Sequence, residues 1–427
     1  MRVLFTCTAH KSHYYPMVPL AWALRTAGHQ VVVATPPELT ESITGTGMTA
    51  VPIGIAGWDD DNDPAAAAMV GQLFADGAVD RVQNFDWGGD DRWSWESLLT
   101  MENLIVPTLH EPINNLPLID DLVELARSWR PDLIIRDPYT WAGGVAARVT
   151  GAADARLVWG PDNMIHAREA FLRQAQRQPL EHREDPTAEW LDSVLRRFGH
   201  RYDEKVLTGH WTIDTTPPST RLTGATQVVG VRYVPFNGPA VVPAWLREPP
   251  ARRRVCVTSG LSTREYGESL YATGDLLDIF ADLDVEIIAT MSDEERDRIP
   301  VIPDNTRVVD FVPLHDLLPT CVAVVHHGGG GSRATAELHG VPQIIATNGW
   351  DTVLKAERIQ ALGAGLCVPL SEATPVILRE MLVEVLDDPS FTECARRLRD
   401  EVLAEPSPND IVPLLEKLTA EHRPGTT

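Results

Sequence analysis

Chemistry in this chain concentrates at the ends of apolar runs. "TAHKSHYYPMVPL" (8–20) carries His10 and His13 just after the run "RVLFT" (2–6). Imidazole titrates near neutrality and suits taking a proton from an alcohol. Alone it makes a weak base, because the imidazolium it becomes needs a carboxylate on its other nitrogen. Asp137, closing "PDLIIRD" (131–137), would stand beside it if both runs are strands of one parallel sheet. The plainer alternatives are a histidine in a surface loop and an aspartate that caps the following helix.

The second concentration is "CVAVVHHGGGGSRATAELHG" (321–340), a greasy run joined to Gly328–Gly331 and then to a helical stretch closed by Gly340. Bare backbone lets a ligand approach closely, and a helix start offers unpaired N–H groups of partial positive charge. An anion, above all a diphosphate, fits there without any basic cluster, with His327 and Ser332 as further hydrogen-bonding groups. The competing reading is a turn made of glycine for packing alone. Neither a Walker A lysine nor a GxGxxG fingerprint is present.

These groups need elements to hold them. "RVLFT", "HQVVVAT" (29–35) and "TAVPIG" (49–54) read as strands separated by helical "PLAWALRTAG" (19–28) and "PELTESITGTG" (37–47). The rhythm resumes with "PDLIIRD", "TWAGGVAARVTG" (140–151) and "ARLVWG" (155–160). After proline-rich stretches at 215–224 and 234–250, which read as a linker, it restarts with "RRVCVTSG", "VEIIATM", "RVVDFV", "CVAVVHH" and "VPQIIAT". Alternating strands and helices predict α/β architecture with two doubly wound parallel sheets facing across a cleft. Expected boundaries are 1–235 for the first domain and 236–405 for the second. The tail 406–422 is expected as one amphipathic helix, within a segment (406–427) returning to the first domain. Residues 57–96, with acidic clusters and Trp58, Trp87, Trp93 and Trp95, read as a mobile surface loop or a substrate lid.

Composition narrows the partners. The 427 residues carry 37 basic and 60 acidic side chains, a net charge of −23, which repels a nucleic-acid backbone. No run of 18 apolar residues is available to span a membrane. Cys7, Cys256, Cys321, Cys367 and Cys394 form no CxxC, so free thiols in a cytoplasmic setting are expected. "DDDND" (59–63) superficially resembles a metal site but lies in the irregular stretch, and no metal is expected.

"HHGGGGSRATAELHGVPQII" followed by "GWDTVLKAERIQALGAG" (349–365) resembles the nucleotide-sugar signature of family 1 glycosyltransferases with the GT-B fold. "VPLAWALRTAGH" (18–29), "WRPDLII" (129–135), "HREDPTAEWL" (182–191) and "AEPSPNDIV" (404–412) extend that resemblance to the actinobacterial enzymes that attach deoxyaminosugars to macrolides from a dTDP donor. The resemblance implies His13 as base and Asp137 as its supporting acid. It implies diphosphate contacts at His327, Gly330, Gly331 and Ser332, with Thr258 and Gly260 in a loop closing over the phosphates. Phe311 would stack on thymine and the Val312 main chain would pair with its edge, although Phe311 also reads as plain core. Asp351 and Thr352 stand where plant relatives carry an acidic residue and glutamine for sugar hydroxyls, and the lost amide suggests a deoxysugar.

The reaction so implied is a single inverting displacement on a hydrophobic aglycone, without a metal or cofactor. The resemblance further implies a cytochrome-P450-like auxiliary protein and a homodimer. A nucleotide-sugar epimerase or hydrolase, and a non-catalytic sugar-nucleotide-binding helper, are the competing functions. The identity of the sugar and of the aglycone stays open.

Overall fold

The structure is a computed structural model that describes residues 1–56, 93–222, 224, 226–260, 275–299, 301–347 and 351–423, except the side chains of residues 275 and 351. The acidic run 59–63, Trp58 and Trp87 lie outside the described residues.

Two parallel sheets carry the chain. The first contains β1 (Arg2–Thr6), β2 (Gln30–Thr35), β3 (Ala50–Pro52), β4 (Leu133–Arg136), β5 (Ala153–Val158), β6 (Trp211–Asp214) and β7 (Val228–Gly230), in the order β3-β2-β1-β4-β5-β6-β7. The second contains β8 (Arg253–Thr258), β9 (Val285–Thr290), β10 (Thr306–Val309), β11 (Cys321–His326), β12 (Gln343–Thr347) and β13 (Gly365–Pro369), in the order β10-β9-β8-β11-β12-β13. In each sheet the winding reverses beside its first strand, between β1 and β4 and between β8 and β11. Such a switch point opens a crevice at the strands' carboxyl ends. Thr6 pairs with Arg136 across the first, and Thr258 with His326 across the second.

The strands are apolar on both sides because both faces are covered. Val3, Phe5 and Ile135 enter one core layer with Leu24 and Trp211, while Leu4 and Ile134 enter the opposite layer with Leu122 and Val145. Arg136 breaks the apolar run yet is fully buried. Its Nε donates to Asp154 at 3.0 Å and its Nη2 to the carbonyls of Val206 and Leu207.

Three strands escaped the sequence pattern. β6 ends on Asp214 shortly before two prolines, β13 opens on Gly365 and ends at Pro369, and three-residue β7 lies between the stretches read as linker. The tail helix is also shorter than its pattern, spanning Val412–His422. The preceding residues turn instead, with Asp410 accepting from the Ser407 amide at 2.9 Å and hydroxyl at 2.6 Å. That helix buries Val412, Leu415 and Leu418 against the first sheet's core. Trp93 and Trp95 are buried with Leu98 and Phe171, so their surface is satisfied by packing between helices Trp95–Ile105 and Asn163–Gln176.

Candidate active site

At the first switch point His13 sits in a short helical turn, Lys11–Tyr14, just beyond β1. Its Nδ1 hydrogen-bonds Asp137 Oδ2 at 2.6 Å, and the aspartate is fully buried while the histidine side chain is 20% exposed. Nε2 is thus the ring nitrogen left for a substrate. Asp137 does not cap the next helix, whose N-cap is Thr140. Its Oδ1 instead accepts the amides of Tyr139 at 3.2 Å and Thr140 at 2.6 Å, and Oδ2 also accepts the amide and hydroxyl of Thr8. Burial by itself raises this carboxyl's pKa. The His13 hydrogen bond and charge, with the Thr140 and Thr8 donors, outweigh it and leave the group below the ordinary carboxylate range. His10 lies 5.9 Å from His13 between ring centroids, and burial, followed by His13's charge, lowers its pKa.

At the second switch point the two adjacent histidines differ in kind. His326, the last residue of β11, is fully buried, and burial with the neighbouring His327 pushes it down to about 3. Its Nδ1 accepts the Gly328 amide at 3.1 Å and its Nε2 meets Gln343 Oε1 at 2.9 Å, so the neutral ring fixes the start of the glycine turn. His327 turns the other way and packs between Gly260 and Gly329, where any Cβ would overlap its ring. Gly328 adopts φ +93°, and Thr352 lies directly beneath it. The helix Gly330–His339 then begins with Gly329 as N-cap and no side chain capping its first turn. Its leading amides, including those of Gly330, Gly331 and the buried Ser332, therefore form an uncapped positive end.

The other expected residues fall around this turn. Thr258 is buried, and its hydroxyl accepts from Thr290 at 2.7 Å and from the Gly260 amide at 3.2 Å, bonds that shape the loop. Val312 is buried, whereas Phe311 is 41% exposed and so is not core. Residue 351 opens the helix Asp351–Ala361, and the Asp351 side chain is outside the described residues.

Between the two switch points stands Trp159, which follows β5 directly. Its ring meets His13 edge-on with centroids 5.1 Å apart, and a Cβ at Gly330 would lie 2.5 Å from its Cδ1. Arg333, from the glycine-turn helix, donates to the Trp159 carbonyl at 3.1 Å and pairs with buried Glu337. Sequence reading gave Trp159 and Arg333 no role. A tryptophan at a strand's carboxyl end in "ARLVWG" was the available signal. Beside Pro138 and Tyr139 a cleft of about 760 Å³, part of it open to solvent, is walled by Leu98, Met101, Ile105, Met164 and Ala167, with Glu102 and Arg168 as polar points.

The family profile described as erythromycin biosynthesis protein CIII-like, N-terminal domain, matches residues 22–260, and its C-terminal counterpart matches residues 274–418. The chain is 48% identical to the 10-deoxymethynolide desosaminyltransferase of Streptomyces venezuelae, covering 99% of this chain and 98% of that one. It is 47% identical to the 3-alpha-mycarosylerythronolide B desosaminyl transferase of Saccharopolyspora erythraea, covering 99% of each. Among solved structures, glycosyltransferase VinC in complex with dTDP superposes with a TM-score of 0.84 at 38% identity, over 99% of this chain and 100% of VinC. Two switch points facing each other, and full-length likeness in both sequence and fold, lead to one conclusion: the chain belongs to the erythromycin biosynthesis protein CIII-like family of glycosyltransferases.

Proposed function

We propose that this glycosyltransferase moves a deoxy(amino)sugar from a dTDP donor to a hydroxyl of a polyketide or macrolide aglycone, in one inverting displacement without a metal. The observation that carries the reading is the His13–Asp137 pair at 2.6 Å, set opposite an uncapped, glycine-built helix start. His13 Nε2 takes the acceptor's proton as its oxygen attacks the anomeric carbon, and the ionised Asp137 stabilises the imidazolium. The bond to the dTDP oxygen breaks, and the charge released on the diphosphate is met by the amides of Gly330, Gly331 and Ser332, with His327 alongside. Phe311 stacks on the thymine and the Val312 main chain pairs with its edge. Thr258 and Gly260 shape the loop that closes over the phosphates. Asp351 and Thr352 are assigned to the donor sugar, and the cleft beside Tyr139 receives the aglycone.

The 1–235 and 236–405 division, with the tail returning to the first domain, is the arrangement this reading uses. It also takes a P450-like helper protein, a homodimer and a cytoplasmic setting, to which five free cysteines are suited. Among the described residues no helix is long and apolar enough to cross a membrane.

The test is mass-spectrometric identification of products from a panel of dTDP-deoxysugars and polyketide aglycones, with and without a coexpressed helper. A glycosylated aglycone is expected, and His13→Ala should lower kcat by roughly 10²–10⁴. Undiminished turnover in His13→Ala, or a sugar altered without transfer, would overturn the reading.

A further inference from the structure

We propose that Trp159 is a positioning residue that ties the docking of the glycine turn to the orientation of the base. The inference rests on the reading of His13 as base and of the glycine turn as diphosphate site. Trp159 belongs to the first sheet by chain and touches the second domain by geometry. Its indole stands nearly perpendicular to the His13 ring, at an interplanar angle of 89°. It also lies against Gly330, so closely that no side chain fits there.

The contact is doubled through the backbone. Arg333 reaches from the glycine-turn helix to the Trp159 carbonyl, a bond spanning 174 residues of chain. Arg333 is itself 1% exposed and held by Glu337, itself 2% exposed, so its reach is fixed rather than adaptable. The next residue repeats the close approach, since a Cβ at Gly160 would overlap Lys355 of the helix Asp351–Ala361.

His13 is held by Asp137 at one nitrogen only, which leaves the ring free to tilt about that bond. The flanking rings of Tyr139, at 5.6 Å, and Trp159, at 5.1 Å, limit that tilt. Of these two, Trp159 is in contact with the phosphate turn. Docking of the turn therefore sets the indole, and the indole sets where Nε2 points. A base misdirected by about 1 Å costs on the order of 10²-fold in rate. The residue acts through His13 and carries no proton itself.

The experiment compares wild type, Trp159→Ala, Trp159→Phe, Gly330→Ala and the double variant Trp159→Ala/Gly330→Ala. Release of dTDP is followed with the fastest donor and aglycone pair from the product screen, and dTDP affinity is measured by calorimetry. Trp159→Ala should lower kcat on the order of 10²-fold while dTDP still binds as in wild type, and Trp159→Phe should recover most of the loss. Because the methyl of Gly330→Ala collides with the indole, its effect should shrink when the indole is absent, so the double variant falls short of the product of the singles. Wild-type kcat in Trp159→Ala, or fully multiplicative effects, would overturn the proposal. So would a parallel fall in kcat and dTDP affinity with no rescue by phenylalanine, the mark of a merely structural role. His13→Ala keeps the two readings apart: if it turns over normally the base assignment fails, whereas an inactive His13→Ala beside a normal Trp159→Ala sinks only the present inference.

Discussion

Replacing Asp137 by asparagine changes one atom, and the consequence follows from who donates to that carboxylate. Oδ1 accepts two backbone amides, Tyr139 at 3.2 Å and Thr140 at 2.6 Å. The amide oxygen of the new side chain is therefore drawn to that position, since the reverse orientation would aim an NH2 at two fixed N–H groups. The NH2 then occupies the place of Oδ2, facing His13 Nδ1 and the Thr8 hydroxyl, with the long 3.3 Å bond from the Thr8 amide sacrificed. A donor opposite Nδ1 requires His13 to accept there, which moves its proton to Nε2, the nitrogen meant to act as base.

The base is lost through its tautomer while every backbone contact but one survives. The same inversion in a serine-protease triad costs about 10⁴ in kcat, and a similar fall, roughly 10³–10⁴, is expected here. The sacrificed bond leaves the buried Thr8 amide facing an NH2 and costs about 1–3 kcal/mol of stability. Steady-state dTDP release at saturating substrates reads the first number, and thermal unfolding reads the second. Calorimetric titration with dTDP should give wild-type affinity, because the proposed function seats the nucleotide on the other domain. If Asp137→Asn retained wild-type kcat, the tautomer argument would be wrong. If dTDP binding collapsed along with kcat, the separation of the two sites would be wrong.

Phe311→Ala should weaken dTDP binding by about 1–3 kcal/mol, the value of one base stacked on an aromatic ring, with unchanged melting temperature because the ring is exposed. Calorimetry and thermal unfolding check both halves. Asp154→Ala leaves Arg136 charged, buried and without its carboxylate, and should cost about 3–5 kcal/mol in denaturant unfolding. Asp214, buried at the end of β6, is pushed up to about 6 by burial, against the opposing pull of Arg221 and Thr216. Its folded pKa exceeds the unfolded value of about 3.9, so its contribution to stability is full below pH 4 and lost as pH rises through 6. Asp214→Asn should remove that slope, with the wild-type-minus-variant difference in unfolding free energy changing by about 3 kcal/mol across the window.

What the sequence by itself determined is local in origin. Strands such as "CVAVVHH" are apolar on both faces because helices cover both, and that pattern, with helical stretches between, suffices for two doubly wound sheets. Four glycines running into a helix start with no capping side chain mark bare backbone and unpaired amides wherever the rest of the chain lies, the local feature on which the proposed anion site rests. β6, β7 and β13 were illegible because none is a clean apolar run: β6 alternates Trp211 and Ile213 with Thr212 and Asp214, β7 has three residues in a linker-like stretch, and β13 opens on Gly365 and ends at Pro369.

Only the tertiary structure decided the rest. His326 and His327 are neighbours in the chain. Pairing with Gln343 buries one as a neutral brace, while contact with Gly260 and Gly329 places the other at the turn. Thr258 closes its strand, and the groups that donate to its hydroxyl, Thr290 on the adjacent strand and the Gly260 amide beyond the strand's end, lie outside its own run. Trp159 looks like the end of an ordinary strand until the second domain's Arg333 and Gly330 are brought against it. Periodicity and composition record what a residue needs from its own element. The meeting of groups far apart in sequence depends on how two sheets dock, and a chain read residue by residue holds no local sign of that distance.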